Sequence, residues 1–149
     1  GHRCWFYTCI YPRRNFANRY VTLPLIKTRL LHWINYKYDS PGYLHWGFNA
    51  WGANGDPFGD VSAPANDWPG GDSHIVYPGY RKLYPSIRLA AMRDGIRDYD
   101  LLKMVEARDS IRAQAFVNAI IFDFNRYDTS VSRFRQIRRE ILDFLEDMH

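Results

Sequence analysis

The chain has 149 residues, of which 46% are hydrophobic and 24% charged, and its formal net charge is +4 at neutral pH. That balance suits one folded domain with a sizeable core and excludes a disordered, single-sign polyelectrolyte. No apolar run approaches the roughly 18 residues of a membrane span, so no membrane partner is expected.

Aromatic content is the unusual figure, at 17%, with 11 Tyr, 9 Phe and 5 Trp. Many of these rings sit beside Asn, Asp, His or Gly. A ring with polar neighbours suits a ligand with a flat face and a polar rim, as a sugar or a base has. A nucleic-acid binder would also cluster its basic residues among those rings. Here they are scattered. The densest group, RFRQIRR at 133–139, precedes acidic residues on a helix and reads as a solvated face. No nucleic-acid partner is expected.

In chain order, residues 3–11 (RCWFYTCIY) are rich in β-formers and bounded by Pro12, which predicts a strand. Cys4 and Cys9 are five residues apart, so a strand would place them on opposite faces, as buried free thiols. PRRNFANRY is a loop. From Leu23 to about Tyr38, Leu23, Ile26, Leu30, Trp33 and Ile34 recur at helical spacing, with Thr22 as N-cap and Pro24 in the first turn. Asp39-Ser40-Pro41-Gly42 ends that helix. Tyr43–Trp51 predicts a second strand. Residues 52–73 are rich in Gly, Pro and Asp without periodicity, and a loop that long is often functional. HIVYPG, at 74–79, predicts a short third strand.

Ser86 opens a helix with Leu89, Met92, Ile96, Tyr99 and Leu102 on one face. Residues 113–125 suggest another. Thr129 or Ser130 caps a last one, carrying Phe134, Ile137, Ile141, Phe144 and Met148. Strands alternating with helices point to parallel βαβ units in an α/β fold. Three strands are too few for a covered parallel sheet, and a complete (β/α)8 barrel takes about 250 residues. The chain reads as the back end of something larger. The five His, at 2, 32, 45, 74 and 149, show no paired metal-ligand spacing. No phosphate-cradling glycine loop precedes a helix. Neither a metal nor another cofactor is expected.

The motifs WFYTCIYP, NRYVTLPLIKTRLLHWINYKYDSPGYLHWGFNAW, GDSHIVYPG and PSIRLAAMRDGIRDYDLLKM occur in that order from about Cys4 to Met104. Together they resemble the C-terminal part of the glycoside hydrolase family 123 catalytic domain. The resemblance implies a (β/α)8 TIM-type barrel of which residues 1–149 are a part: about three strands with helices, then a C-terminal helical segment at 109–149. It implies a retaining β-N-acetylgalactosaminidase whose substrate supplies its own 2-acetamido nucleophile. An adjacent Asp-Glu pair assists, the Asp orienting the acetamido group and the Glu acting as acid and base. That pair is expected upstream of Gly1, so no catalytic residue is expected in this chain and no activity from it alone. Its single adjacent acidic pair, Glu146-Asp147, ends a solvent-facing helix. One departure is RLAAMRDG, where Ala90 and Ala91 stand in a helix that in the family tends to carry a Glu. The implied partners are an amino-sugar glycoside and the upstream part of the same barrel. The implied setting is a secreted or periplasmic bacterial enzyme.

The stretch GYLHWGFNAW, at 42–51, carries four rings in ten residues. A barrel enzyme builds its site at the C-terminal ends of its strands. An indole can stack on the C–H face of a pyranose, and Asn can both donate to and accept from its hydroxyls. Alternation puts Tyr43, His45, Gly47, Asn49 and Trp51 on one face and Leu44, Trp46 and Phe48 on the other. The candidate sugar-binding residues are Tyr7, Trp46, Asn49, Trp51, Asp72 and Tyr77, with Trp68 as an outer wall. Gly47 would let a sugar approach the backbone. The plainer alternatives stay open. Trp46 and Phe48 pack as core, Tyr7 bonds backbone, Asp72 caps its own loop, and His45 is a satisfied core histidine. Arg93, Asp94 and Asp98 form ion pairs that dock their helix. A second reading is a non-catalytic carbohydrate-binding or degenerate homologue.

Overall fold

The computed structural model describes residues 4–51, 56–59 and 69–147. Trp68, Met148 and most of the 52–73 stretch lie outside the described residues. Among these residues, mixed helices and short strands form an α/β arrangement with three two-stranded sheets.

The first sheet is a βαβ unit. β1 (Phe6–Tyr7) and β2 (Tyr43–Leu44) pair in parallel, and α1 (Leu25–Lys37) connects them. Both strands are shorter than the pattern predicts, because polar and glycine-bearing loops take over at Thr8 and His45. α1 begins later than predicted, with Pro24 at the N-cap and no side-chain cap from Thr22. Pro24 serves through its carbonyl, which accepts from Lys27 N at 2.9 Å. Asp39, with φ of 49°, turns the chain away after the helix.

The expected third parallel strand is instead an antiparallel hairpin. β3 (Val76–Gly79) pairs with β4 (Lys82–Pro85) around Tyr80-Arg81. A two-residue turn with Arg81 at φ 53° lets the chain double back at once, and no crossover is made. The chain therefore holds two parallel strands rather than three among its described residues.

Ser86 caps α2 (Ile87–Glu106) as predicted, accepting from Leu89 N. The buried face of α2 meets the predicted one at Leu102, with Tyr99 packed against the core, and departs from it towards the N-terminus. Arg88, Ala91, Gly95, Asp98, Leu102 and Val105 are buried, whereas Ile96 is 46% exposed. Small residues win this face because α1 crosses closely: a Cβ on Gly95 would lie 2.5 Å from Arg29 O. Asp98 then locks the crossing through Arg29 and Arg138. Arg93 and Asp94 pair with each other on the surface and dock nothing.

The predicted helix at 113–125 is α3 (Ser110–Asn118), followed by a second hairpin of β5 (Ile121–Asp123) and β6 (Arg126–Tyr127). Asp123 accepts from Phe124 N at 2.7 Å where the chain reverses between β5 and β6. α4 (Val131–Glu146) starts at the Ser130 cap. Its Phe134, Ile137, Ile141 and Leu145 join Leu30, Leu31, Trp33 and Ile34 of α1 in one core with α2 and α3. Glu146 and Asp147 are exposed at its end. Both cysteines are free, but Cys4 is exposed and Cys9 half-buried, because the segment around them is mostly loop.

Candidate functional site

Strand alternation fails beyond Leu44, and the failure builds the site. Residues 48–50 run antiparallel beside 73–75: Ile75 N donates to Phe48 O, Ala50 N to Ser73 O, and Asn49 bridges His74. Gly47 makes this approach possible, since a Cβ there would lie 2.6 Å from Ser73 O and 2.7 Å from Asp72 O. The space at Gly47 is taken by the protein's own backbone, not kept for a sugar.

His45 and Trp46, assigned to opposite faces by alternation, both turn to Asp72. Trp46 Nε1 donates to Asp72 Oδ2 at 2.7 Å, and His45 Nε2 lies 3.3 Å from Asp72 Oδ1. Asp72 is fully buried, while Trp46 keeps 40% of its surface exposed. Asp72 is thus placed behind the ring, where it holds Trp46 and His45, and not where a sugar hydroxyl would reach it.

The histidine's tautomer follows from its neighbours. Nδ1 faces Arg19 Nη2 at 2.7 Å and Gly47 N at 3.2 Å. A guanidinium only donates, so Nδ1 accepts and the proton sits on Nε2, towards Asp72. Burial lowers the His45 pKa against the pull of Asp72, with Arg19 reinforcing the fall. Burial also brings Arg19 down to about 10, which leaves it charged at neutral pH. Arg88, also buried, donates to Arg19 O and Gly71 O at 2.8 Å each. With His45 neutral, Arg19, Arg88 and Asp72 leave one net positive charge in this layer. Neither arginine is singled out by the sequence reading. The signal is the pair NRY and SIRL, each an Arg between residues of buried character.

The other candidates fall around this layer. Tyr7 is 46% exposed, and its hydroxyl is close enough to Asp72 for that charge to contribute to its raised pKa, behind burial and Cys9. Trp51 donates to Val76 O at 2.8 Å, so its N–H docks the hairpin and only its ring face is left for a ligand. Tyr77 stacks on Phe58 at 5.1 Å and meets His74 edge-on at 4.9 Å. Asn49 is exposed. The site is a bed of rings and one amide over a buried Arg-His-Asp layer. Among the described residues, no group of three His, Cys, Asp or Glu is placed to hold a metal.

Residues 1–105 match the family model for the glycoside hydrolase 123 catalytic domain, well over half of the chain. The chain belongs to that family. A solved family 123 glycoside hydrolase from Clostridium perfringens, studied for glycolipid glycan hydrolysis, superposes with a TM-score of 0.71 at 18% identity. The match covers 95% of this chain and 27% of that one. At that identity the likeness speaks for the fold alone. No curated protein matches the chain. The chain thus spans about a quarter of the length of the family 123 structure that it matches.

Proposed function

We propose that this chain is the C-terminal portion of a family 123 glycosidase that cleaves N-acetylhexosamine glycosides of the GalNAc type. The mechanism is retaining and substrate-assisted: the 2-acetamido oxygen, oriented by the upstream Asp, attacks the anomeric carbon as the upstream Glu protonates the departing glycosidic oxygen, and water, giving its proton to the same Glu, then opens the oxazoline formed. The residues here form a wall of the pocket. The observation that carries this reading is Trp46, an exposed indole whose N–H is fixed by a fully buried carboxylate. A ring held that way offers a preset face to pyranose C–H groups, so little ordering cost is left for binding. Tyr7, Asn49, Trp51 and Tyr77 supply further faces and polar groups around it. A secreted or periplasmic setting fits an enzyme working on glycans outside the cytoplasm.

The test uses the full polypeptide. Aryl β-GalNAc and β-GlcNAc are offered as substrates, and GalNAc binding is measured by calorimetry. Faster hydrolysis of the GalNAc glycoside supports the proposal. Sugar binding without hydrolysis replaces it with a degenerate carbohydrate-binding homologue, a reading that the same rings serve. No binding and no hydrolysis removes both.

A further inference from the structure

β2 ends at Leu44 and α2 begins at Ile87, so residues 45–86 make one connection at the C-terminal end of β2. In parallel α/β units, ligands sit at that end. Trp46, Asn49 and Trp51 open the connection, and the β3–β4 hairpin closes it. Trp51 ties the two together by donating to Val76 O. The ring bed uses the base of the hairpin through Tyr77. The outer part of the hairpin has no role in it.

The register fixes what that outer part presents. Tyr77 stands opposite Tyr84, and Gly79 opposite Lys82. Cross-strand partners share a face, as do residues two apart, so Tyr77, Tyr84 and Lys82 form one strip. Gly79 lets the Tyr84 ring lie close on the backbone, since a Cβ there would be 2.5 Å from Tyr84 Cε2. Lys82 Nζ lies 4.8 Å from the centre of that ring, and the Arg81 guanidinium lies 5.3 Å from the centre of the Tyr80 ring at the tip. β4 is exposed throughout, and Tyr80 keeps 83% of its surface.

Both cations are held by rings and left without an opposite charge. The sequence has no acidic residue between Asp72 and Asp94. Asp72 is buried behind Trp46, and Asp94 pairs with Arg93. Asp56 accepts from Phe58 N, beside the ring that stacks on Tyr77. Among the described residues, neither Arg81 nor Lys82 has an ion-pair partner. Strand rise places the level of Lys82 about 7 Å beyond Tyr77, one sugar residue further along the strip.

We infer that the hairpin tip is an outer subsite for an acidic sugar, one that carries a carboxylate or a sulfate, joined to the amino sugar in the ring bed. Two placed and unneutralised cations select a negative charge, and the arginine fork suits the paired oxygens that both groups offer. Continuity with Tyr77 makes the carrier a sugar. This inference rests on the glycosidase reading and deepens it by naming the class of glycan.

The experiment offers the full polypeptide three disaccharides, linked through sulfur so that they are not cleaved: β-GalNAc on glucuronic acid, on sulfated glucose and on plain glucose. Calorimetry measures binding at about 0.02 M and about 0.3 M salt. At low salt, at least one acidic ligand is expected to bind about five- to tenfold more tightly than the neutral one, as two exposed charge contacts allow. The preference should shrink at high salt, and whichever acidic ligand shows it names the group. The double variant Arg81→Asn, Lys82→Gln should abolish the preference and bind the neutral ligand as before; Asn tolerates the positive φ of residue 81. Equal binding of all three ligands, or a preference that survives the double variant, overturns the inference. So does a double variant that unfolds more easily, because the tip would then be docked on the rest of the polypeptide. Aryl β-GalNAc carries no second sugar, so its hydrolysis reports the proposed function alone. Hydrolysis without an acidic preference sinks only this inference, and an acidic preference without hydrolysis sinks only the glycosidase reading.

Discussion

Asp98 and Asp72 are both fully buried, and each accepts from an indole N–H, yet they sit in regions with different purposes. Asp98 collects Arg29 at 2.6 and 2.9 Å, Arg138 at 2.9 Å and Trp33 at 3.2 Å. Its donors come from α1 and α4 while it stands on α2, and Trp33 is wholly buried. Asp72 stands on a loop and receives Trp46, with His45 Nε2 3.3 Å away. Its indole is open to solvent. A carboxylate saturated by charges inside a helical layer fastens elements together. A carboxylate behind an exposed ring fixes the pose of something that meets a ligand.

The largest expected effect breaks the first of these. Asp98→Ala leaves two guanidinium groups and an indole without their acceptor, and loss of one partner from a buried pair costs about 3–5 kcal/mol. Both arginines are partly exposed, which moves the expectation to the lower end. Urea unfolding measures it. Sugar affinity of the folded variant is expected to be unchanged, and a loss of affinity larger than for Asp72 variants would erase the distinction.

Acid should strain the helical side next. Burial holds His32 at about 4, against the opposing pull of Asp98 and Asp100. Above pH 6.5 neither the folded nor the unfolded chain protonates it. Between about 6.5 and 4 the unfolded chain takes up the proton and the folded one does not, so stability falls with pH. Below about 4 both states hold it and the effect is complete. The loss is up to about 3 kcal/mol by the size of that shift. Denaturation at pH 7 and pH 4.5 should show it, and His32→Gln should flatten that part of the profile. His45, also lowered by burial, adds in the same direction.

The two regions also differed in how legibly the sequence announced them. α4 follows a strict helical repeat from a Ser cap, and its reading needed only periodicity. The α1 core residues Leu30, Trp33 and Ile34 were equally plain. α2 misled because its apolar stripe at Met92 and Ile96 is real but unpartnered here, while the face that docks is built on Gly95 and Asp98. Small residues and a saturated charge carry no hydropathy signal. In the site, the ring-rich stretch stood out by composition. Its geometry did not, because Gly47 allows the 72–73 backbone in and cancels the alternation on which face assignments rest. The hairpin at 76–85 read as a parallel strand because period-2 patterning does not encode strand direction.

Asp72→Asn tests the loop side with a nearly isosteric change. The amide oxygen can still accept from Trp46, so its NH2 then faces the proton on His45 Nε2. His45 cannot relieve this by switching tautomer, since Arg19 and Gly47 hold Nδ1 as an acceptor. A cost of about 2 kcal/mol is expected, the range for one unmet buried polar contact. Sugar affinity should fall less than for Trp46→Ala, because the neutral amide oxygen still accepts from Trp46 but holds it more weakly than the carboxylate does. Asp98→Asn, by contrast, should lower stability without touching affinity. The near-ultraviolet circular dichroism of the two variants, read beside calorimetry, separates loss of pose from loss of fold.

Trp46→Ala sharpens the comparison most, because it removes the exposed ring and leaves its buried holder without a donor, at a cost of about 1–3 kcal/mol in stability. Stacking on one ring is worth about 1–3 kcal/mol for a flat ligand, so about a tenfold fall in GalNAc affinity is expected, with unfolding shifted less than by Asp98→Ala. Trp51→Phe is the matched control. It keeps a ring face and loses the bond to Val76 O, worth about 1 kcal/mol, so it should move stability more than affinity. If Trp51→Phe weakens sugar binding as much as Trp46→Ala does, the Asp72-held indole has no special place in the site. The platform would then be a general aromatic surface, to which Tyr7, Trp51 and Tyr77 contribute alike.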